Sequence, residues 1–161
     1  MNEMPEIEQD GCLGEQIAAL PFRRDKSGKL QVLMVTSRET RRWVMPKGWT
    51  MDGHKPWVAA EIEALEEAGA EGYISSECIG RYHYDKRLAD GSTRRCRVRV
   101  YPMMVRRLKR DWKERRERER RWFSAKGAAR RVDEPELADL LRSLTRQPLR
   151  VPAIRELLRQ E

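Results

Sequence analysis

The sequence predicts one domain of the α+β class, an α/β/α sandwich in which helices pack on both faces of a mixed sheet. Three observations lead to this class. The chain has 161 residues, which is the length of a single domain. Strand patterns dominate its first part and one helical pattern interrupts them, while further helical patterns end the chain. A sheet covered by helices is the simplest layered arrangement for this order of elements.

The strands are predicted from alternating or continuous apolar runs. Residues 1–14 lack such a pattern, so we expect a flexible N-terminal tail ahead of a single domain over 15–161. Two apolar runs on either side of a polar segment with Gly28 are typical of a β-hairpin. A stretch with two glycines predicts a loop over 47–55. The predicted strands cover residues 17–22, 30–36, 42–46, around 74–84 and around 95–105.

A helix is predicted over residues 56–68, because the residues at its two ends are typical of a helix start and a helix end. Pro56 suits the first helical turn, where a missing N–H costs nothing, and Gly69 is typical of the position after the last turn. The pair Asp90-Gly91 predicts the turn between the last two strands. Further helices are predicted over residues 124–132, 136–144 and 153–158.

The charge and composition of the chain favour an acidic ligand. Lysine and arginine number 34 against 26 aspartate and glutamate, a formal net charge of +8, and a basic chain attracts polyanions. Cys12, Cys78 and Cys96 are odd in number and lack metal-ligand spacing, and the N-terminal residues do not resemble a signal peptide. No apolar run approaches the roughly 18 residues of a membrane span. We therefore expect a reduced, cytoplasmic protein without a membrane partner.

Three glutamates lie on one side of the predicted helix. With about 100° between successive residues, Glu63, Glu66 and Glu67 fall at about 0°, 300° and 40°, apart from the apolar face. Like charges at this spacing, placed in the last turn, oppose helix formation by about 1 to 3 kcal/mol in sum. A divalent cation would reverse that sign, because Mg²⁺ prefers oxygen ligands. Without a cation, the same pattern is a solvated acidic face.

The glycine loop and this helix together resemble the Nudix box, G-x5-E-x7-R-E-U-x-E-E-x-G-U, in which U is apolar. The box would span 48–70, and it departs from the pattern at His54, which replaces Glu, and at Ile62, which replaces Arg. One acid and one base are lost together, and removing both partners of an ion pair costs far less than removing one. The resemblance implies the Nudix fold. The matching residues are Gly48, Glu63, Ala64, Glu66, Glu67, Gly69 and Ala70.

Sequence outside the box resembles the diphosphoinositol polyphosphate phosphohydrolase branch of the Nudix hydrolases. The resemblance extends over about residues 17–141 and includes RWVMP at 42–46 and RRWF at 120–123. It implies hydrolysis of a phosphoanhydride bond with Mg²⁺, or alternatively Mn²⁺, held on the box helix. The substrate would be a diphosphoinositol polyphosphate. A dinucleoside polyphosphate fits as well, because residues 14–16 (GEQ) stand where the branch has basic residues.

The resemblance also implies roles for individual residues. Glu63 and Glu67 would be metal ligands, and a main-chain carbonyl of Lys47 or Gly48 would be the remaining ligand that the protein supplies to the metal. Glu66 would be the general base or a ligand through water. The residues that would bind substrate phosphates are Thr36, Ser37, Arg38, Arg94, Arg95 and Arg118, with Arg120 an alternative to the last.

A second function is compatible with the same residues. The departures at His54 and Ile62 favour a catalytically weak Nudix-fold protein that binds a phosphorylated ligand or RNA through its basic surface. The arginine-rich stretch 106–121 would supply such a surface. Acidic residues interleave there, which is typical of a self-paired solvated segment. A phosphorylated small molecule is therefore the favoured partner over nucleic acid, and the oligomeric state stays open.

Overall fold

The computed structural model describes residues 13–161, and over this range eight strands form one sheet against which four α-helices pack. The strands are β1 (Gly14–Arg24), β2 (Leu30–Thr36), β3 (Trp43–Val44), β4 (Lys47–Trp49), β5 (Ala70–Ile74), β6 (Gly80–Arg87), β7 (Thr93–Leu108) and β8 (Arg120–Ser124). The helices are α1 (Pro56–Ala68), α2 (Ala125–Arg131), α3 (Pro135–Arg146) and α4 (Pro152–Leu158), with a 3-10 turn at Pro148–Arg150.

The sheet is mixed, as predicted. Its central path runs β3-β2-β1-β7-β5, while β4 pairs with β1, β6 with β7 and β8 with β2. Strand β1 runs parallel to β7, with Ile17 opposite Arg99, and the other pairs are antiparallel. Strand β1 therefore carries β4, which begins the glycine loop, close to the middle of the sheet.

Alternation along β1 places the two faces of the sheet against different helices. Leu20 and Phe22 belong to a core that includes residues of α2, α3 and α4. Ile17 and Ala19 belong to a second core that contains the buried alanines of α1. Because successive side chains of a strand point to opposite faces, one strand serves both layers. The α/β/α sandwich is confirmed.

Helix α1 has the predicted bounds, and its two ends have the predicted chemistry. Pro56 is its first residue. Gly69 has φ of 64°, a left-handed conformation that glycine adopts without strain, and its N–H is directed to the carbonyls of Ala64 and Leu65. The predicted hairpin and the three C-terminal helices are also present, α3 being longer than predicted.

Three strand predictions are wrong. The segment predicted as a loop over 47–55 begins with β4, whose residues pair with β1. The predicted strand around 74–84 is two strands, β5 and β6, which pair with different parts of β7. The charged stretch before Trp122 ends in β8, which pairs with β2. Each of these strands is short or highly charged, and its sequence therefore has only a weak local preference for strand structure. Its hydrogen bonds to a longer strand outweigh that weak preference.

The predicted tail over 1–14 falls almost wholly outside the described residues. Gly14, its last residue, is the first residue of β1 and lies opposite Cys96 in the ladder with β7. A Cβ atom at Gly14 would lie 2.8 Å from Trp49 Cζ3 and 2.9 Å from Cys96 Sγ. The position therefore suits glycine because a side chain from another strand lies over it.

Candidate active site

A polar cavity of about 750 Å³ opens at the junction of α1, β4 and the β6–β7 hairpin. Glu63 and Glu67 of α1 line it together with Gly48 of β4. The loop after β2 and the segment before β8 complete the wall. The basic residues of the wall are Arg38, Arg42, Lys47, Lys86, Arg87 and Arg118, and the acidic ones are Glu39, Glu63, Glu67, Asp85 and Glu114.

The segment between β7 and β8 holds the carboxyl end of α1 in place. The last carbonyls of a helix have no partner within the helix, and here three of them accept hydrogen bonds from this segment and from the first residue of β8. Trp112 Nε1 donates to the carbonyl of Glu67 at 3.0 Å, and Arg120 Nη1 donates to that of Ala68 at 2.8 Å. The N–H of Glu114 donates to the carbonyl of Glu66 at 3.0 Å. The helical turn that carries the glutamates is therefore fixed from outside the helix.

Glu63 and Glu67 form a carboxylate pair in the cavity wall. The two side chains lie close enough for each to shift the pKa of the other, and the N–H of Lys47 donates to Glu67 Oε1 at 3.4 Å. A Cβ atom at Gly48 would lie 2.3 Å from Glu63 Oε2. Glycine at 48 is thus required by the close approach of this carboxylate to the main chain, as the box pattern implies.

Burial dominates the electrostatics of this pair. It raises the pKa of Glu67 to about 8, against the lowering effect of Arg118. It also raises the pKa of Glu63. Burial lowers the pKa of Lys47 to about 8, while Glu67 opposes that change. Raised pKa values for two neighbouring carboxyls and a lowered pKa for a lysine beside them are typical of functional sites, where burial shifts the pKa of charged groups.

Arg118 is a buried cation beside this pair. Its guanidinium donates to Glu114 Oε1 at 2.7 Å and to the carbonyl of Thr36 at 3.0 Å. Its Nη2 lies 3.8 Å from Glu67 Oε1, and only 10% of its side chain is exposed. Arg118 lines the cavity, as expected of a phosphate-binding residue, but its donors also connect the strand end at Thr36 to the acidic wall.

The predicted acidic triplet is split between two environments. The Glu66 side chain is outside the cavity wall and pairs with Lys113, with Oε1 3.3 Å from Nζ. In residues 13–161, no three Asp, Glu, His or Cys side chains converge as a ready-made metal site. Glu114, which sequence reasoning missed, lies in the wall instead. The position of Glu66 at about 300° on the helix, some 100° from Glu67, accounts for the split.

The predicted phosphate-binding residues are only partly together. Ser37 and Arg38 line the cavity. Thr36 is buried, and its hydroxyl accepts a hydrogen bond from the N–H of Glu119 at 2.9 Å. Arg94 and Arg95 are outside the wall: Arg94 lies over the Trp49 ring and Arg95 pairs with Asp85.

The cations that sequence reasoning missed at the hairpin are Lys86 and Arg87. They belong to β6, the strand opposite Arg94 and Thr93. Alternation along a hairpin sends neighbouring arginines to opposite faces, so only one of Arg94 and Arg95 could approach the same surface. If the two predicted strands are paired about the Asp90-Gly91 turn, Lys86 and Arg87 come to lie opposite residues 93–94, and this signal could have identified them.

The residues present fit a magnesium ion. Mg²⁺ is commonly held by one or two carboxylates, with water and substrate phosphates completing its octahedron. Glu63 and Glu67 provide two carboxylates in contact, and the glycine at 48 leaves the main chain open beside them. A site of this kind does not need a third protein carboxylate.

These features define a class: an α/β/α domain whose central helix presents paired carboxylates to a cavity rimmed by arginine and lysine. A family model described as the NUDIX domain matches residues 14–144. This chain therefore belongs to the Nudix family, which confirms the resemblance of the box despite His54 and Ile62.

Curated relatives extend the comparison. Nudix hydrolase 12, mitochondrial, of Arabidopsis thaliana is 32% identical over 126 residues, which cover 73% of this chain and 62% of the relative. Diphosphoinositol polyphosphate phosphohydrolase 3-beta of Bos taurus is 28% identical over 116 residues, which cover 71% of this chain and 66% of the relative. The chain thus spans less than two thirds of the length of either relative.

Solved structures support the fold. A Caenorhabditis elegans Ap4A hydrolase in a binary complex superposes with a TM-score of 0.56 at 22% identity, covering 81% of this chain and 93% of that one. An Escherichia coli dihydroneopterin triphosphate pyrophosphohydrolase superposes with a TM-score of 0.61 at 18% identity, covering 81% and 94%. At these identities the likeness establishes the shared fold.

Two further findings concern the surroundings of the protein. No helix in the range 13–161 is long and apolar enough to cross a membrane. Cys78 and Cys96 are free thiols, and Cys12 falls outside the described residues.

Proposed function

We propose that this protein is a Mg²⁺-dependent Nudix hydrolase that cleaves a phosphoanhydride bond in a diphosphoinositol polyphosphate or a dinucleoside polyphosphate. The observation that carries the proposal is the convergence of the Glu63 and Glu67 side chains on one cavity wall, where Glu67 is buried and the Glu63 carboxylate lies against Gly48. Local energetics oppose such a pair, and a divalent cation supplies the compensating charge. The name of a curated relative supplies the first substrate class, and the name of a solved structure with the same fold supplies the second.

Glu63, Glu67 and a main-chain carbonyl of Lys47 or Gly48 would hold the metal. A bound Mg²⁺ neutralises charge on phosphoryl oxygens and lowers the pKa of water, and Mn²⁺ is an alternative ion. Because the pKa of Glu67 is raised to about 8, its carboxyl must lose a proton before it acts as a ligand.

The cations of the wall would hold the substrate. Ser37 and Arg38 lie on one side of the cavity, and Lys86 and Arg87 lie on the other. Arginine suits this task because its guanidinium forms two parallel hydrogen bonds to a phosphate. Held between the two sides, a diphosphate would lie beside the carboxylate pair.

Glu66 is the proposed general base, and the geometry supplies a competitor. Glu66 would act only after leaving Lys113, which lies 3.3 Å away. Glu114 already lies in the wall, although Arg118 holds its carboxylate. General bases must come within reach of the attacking water, so either residue could take the proton.

The test is a hydrolysis assay on a diphosphoinositol polyphosphate and a dinucleoside polyphosphate, with Mg²⁺ and with Mn²⁺. We expect turnover of at least one class by the wild type and a loss of about 100-fold or more in Glu67→Gln. Glu66→Gln and Glu114→Gln identify the base, since one of them should lower kcat strongly while KM changes little. Glu61→Gln, on the same helix but outside the wall, is the control. Absence of turnover with both substrates and both ions would contradict the proposal.

The second candidate is a catalytically weak protein that binds a phosphorylated ligand or RNA. Two observations favour it. Ile62 replaces the arginine of the box pattern, and the Glu66 side chain faces Lys113 rather than the cavity. Tight binding of the same substrates without turnover would support it.

A cytoplasmic location is likewise a proposal. Three of the curated relatives carry the word mitochondrial in their names, so the mitochondrion is the competing compartment. Fractionation of cells that contain the tagged protein distinguishes the two.

A further inference from the structure

We infer that Trp49 is the platform on which the cavity holds a nucleobase, so that the substrate is a nucleoside polyphosphate. The inference rests on the proposed function and narrows its substrate class. It starts from Trp49 itself, which follows Gly48 in β4 and lines the same cavity as Glu63 and Glu67. Trp49 is 38% exposed, so part of a large aromatic side chain in this charged wall is accessible to a ligand.

The indole ring is held in place rather than free to swing. Its Cζ3 and Cη2 atoms lie 2.8 and 3.2 Å from where a Cβ of Gly14 would be. The ring therefore rests on the bare main chain of β1. An aromatic surface that is already ordered loses little side-chain entropy when it receives a planar ligand.

The two cations beside the ring are available to bind a phosphate, because no carboxylate among the described residues holds them. Arg94 Cζ lies 5.4 Å and Lys86 Nζ 6.0 Å from the ring centroid. Among the described residues, neither side chain forms an ion pair with a carboxylate. Elsewhere in the wall, Arg38 pairs with Glu117 and Arg118 with Glu114.

The combination matches a nucleotide better than a phosphorylated inositol. A base has a planar π-face that stacks on indole regardless of its identity, and its phosphates would draw Lys86 and Arg94 away from the ring. A phosphorylated inositol ring is saturated and covered by charged groups, so an exposed indole adds nothing to its binding. Trp49 is bonded in sequence to Gly48, and this places the platform next to the carboxylate pair.

The experiment compares steady-state hydrolysis of diadenosine tetraphosphate and of diphosphoinositol pentakisphosphate by Trp49→Leu and Trp49→Phe. The matched control is Tyr73→Leu, since Tyr73 is 41% exposed and has Arg106 5.4 Å from its ring, but lies outside the cavity. We expect Trp49→Leu to raise KM for the dinucleotide about tenfold with little change in kcat. KM for the inositol substrate should stay unchanged, Trp49→Phe should keep most of the affinity, and Tyr73→Leu should behave as the wild type.

Equal effects of Trp49→Leu on both substrates would overturn the inference, because they would assign Trp49 to packing on Gly14. So would no effect at all, or a wild type that cleaves the inositol substrate alone. If the wild type cleaves neither substrate, the proposed function fails separately. Calorimetric binding of a non-hydrolysable methylene analogue of the dinucleotide then decides the role of Trp49: a tenfold loss in Trp49→Leu supports it, and unchanged binding refutes it.

Discussion

Among individual residues, Arg118 is the cation that lies beside the carboxylate pair. The box of this chain has Ile62 where the family pattern has arginine, so the helix itself brings no base to its glutamates. Arg118 comes instead from the segment before β8 and contacts Glu67, Glu114 and the carbonyl of Thr36. A charge that the helix lacks is thus supplied from another part of the chain.

Replacing Arg118 by Gln should destabilise the protein by about 3 kcal/mol, because two buried acids would lose their cation. Added Mg²⁺ should recover part of that loss by providing charge at the same place. Thermal melts with and without Mg²⁺ measure both effects. Arg116→Gln, in the same segment but exposed, serves as control; if both variants melt alike, Arg118 does not hold the site together.

Residue roles were harder to predict than residue identities. The box pattern located Glu63, Glu67 and Gly48, which do meet. It did not locate Glu114 or Lys86, since both enter the cavity through pairings of distant strands and loops. Helical spacing grouped Glu66 with Glu63 and Glu67 on one side of the helix, but Glu66 lies some 100° from Glu67, and outside the cavity wall it pairs with Lys113.

At the element scale, the glycine of β4 and the glutamate of α1 form one unit. Strand β4 pairs with β1, and this pairing brings Gly48 under the Glu63 carboxylate. The short strand was predicted as loop because its glycine and flanking proline suppress any local strand signal. Helix α1 was predicted correctly because Pro56 at its start and Gly69 after its end are both typical of helix boundaries.

Gly48→Ala should displace the Glu63 carboxylate, because the new methyl group would lie 2.3 Å from Oε2. We expect Mg²⁺ affinity to fall by about 10- to 100-fold while circular dichroism stays that of the wild type. Gly80→Ala is the matched strand control, since its methyl would meet only a leucine methyl group, at 3.1 Å. Calorimetric titration with Mg²⁺ measures the difference. Equal affinity in both variants would show that the glycine does not shape the site.

At the scale of the whole molecule, the site couples folding to protonation and to metal. Burial raises the pKa of Glu67 from its ordinary 4.5 to about 8. A carboxyl with a raised pKa contributes stability below its unfolded pKa, and that contribution is lost as pH rises through the folded pKa. A metal ligand must be deprotonated, so Mg²⁺ bound at the proposed site would act in the opposite direction.

The metal-free protein should therefore lose stability between about pH 4.5 and pH 8, from the unfolded to the folded pKa of Glu67, and Mg²⁺ should reduce that loss. Its Mg²⁺ affinity should rise over the same interval and level off above it. Melting temperatures at several pH values, with and without Mg²⁺, test the first statement. Calorimetry in buffers of different ionisation enthalpy tests the second through the protons released. In Glu67→Gln both dependences should weaken, and their persistence there would assign them to another group.

If Glu63 and Glu67 make this cavity a hydrolytic site, the reaction can be followed directly by phosphorus NMR. Resonances of a diphosphoinositol polyphosphate and a dinucleoside polyphosphate would be recorded over time, with Mg²⁺, for the wild type, Glu67→Gln and Glu61→Gln. We expect new phosphate or mononucleotide signals with the wild type and Glu61→Gln, and about 100-fold slower appearance with Glu67→Gln. Equal rates in the wild type and Glu67→Gln, or intact substrates in every sample, would contradict it.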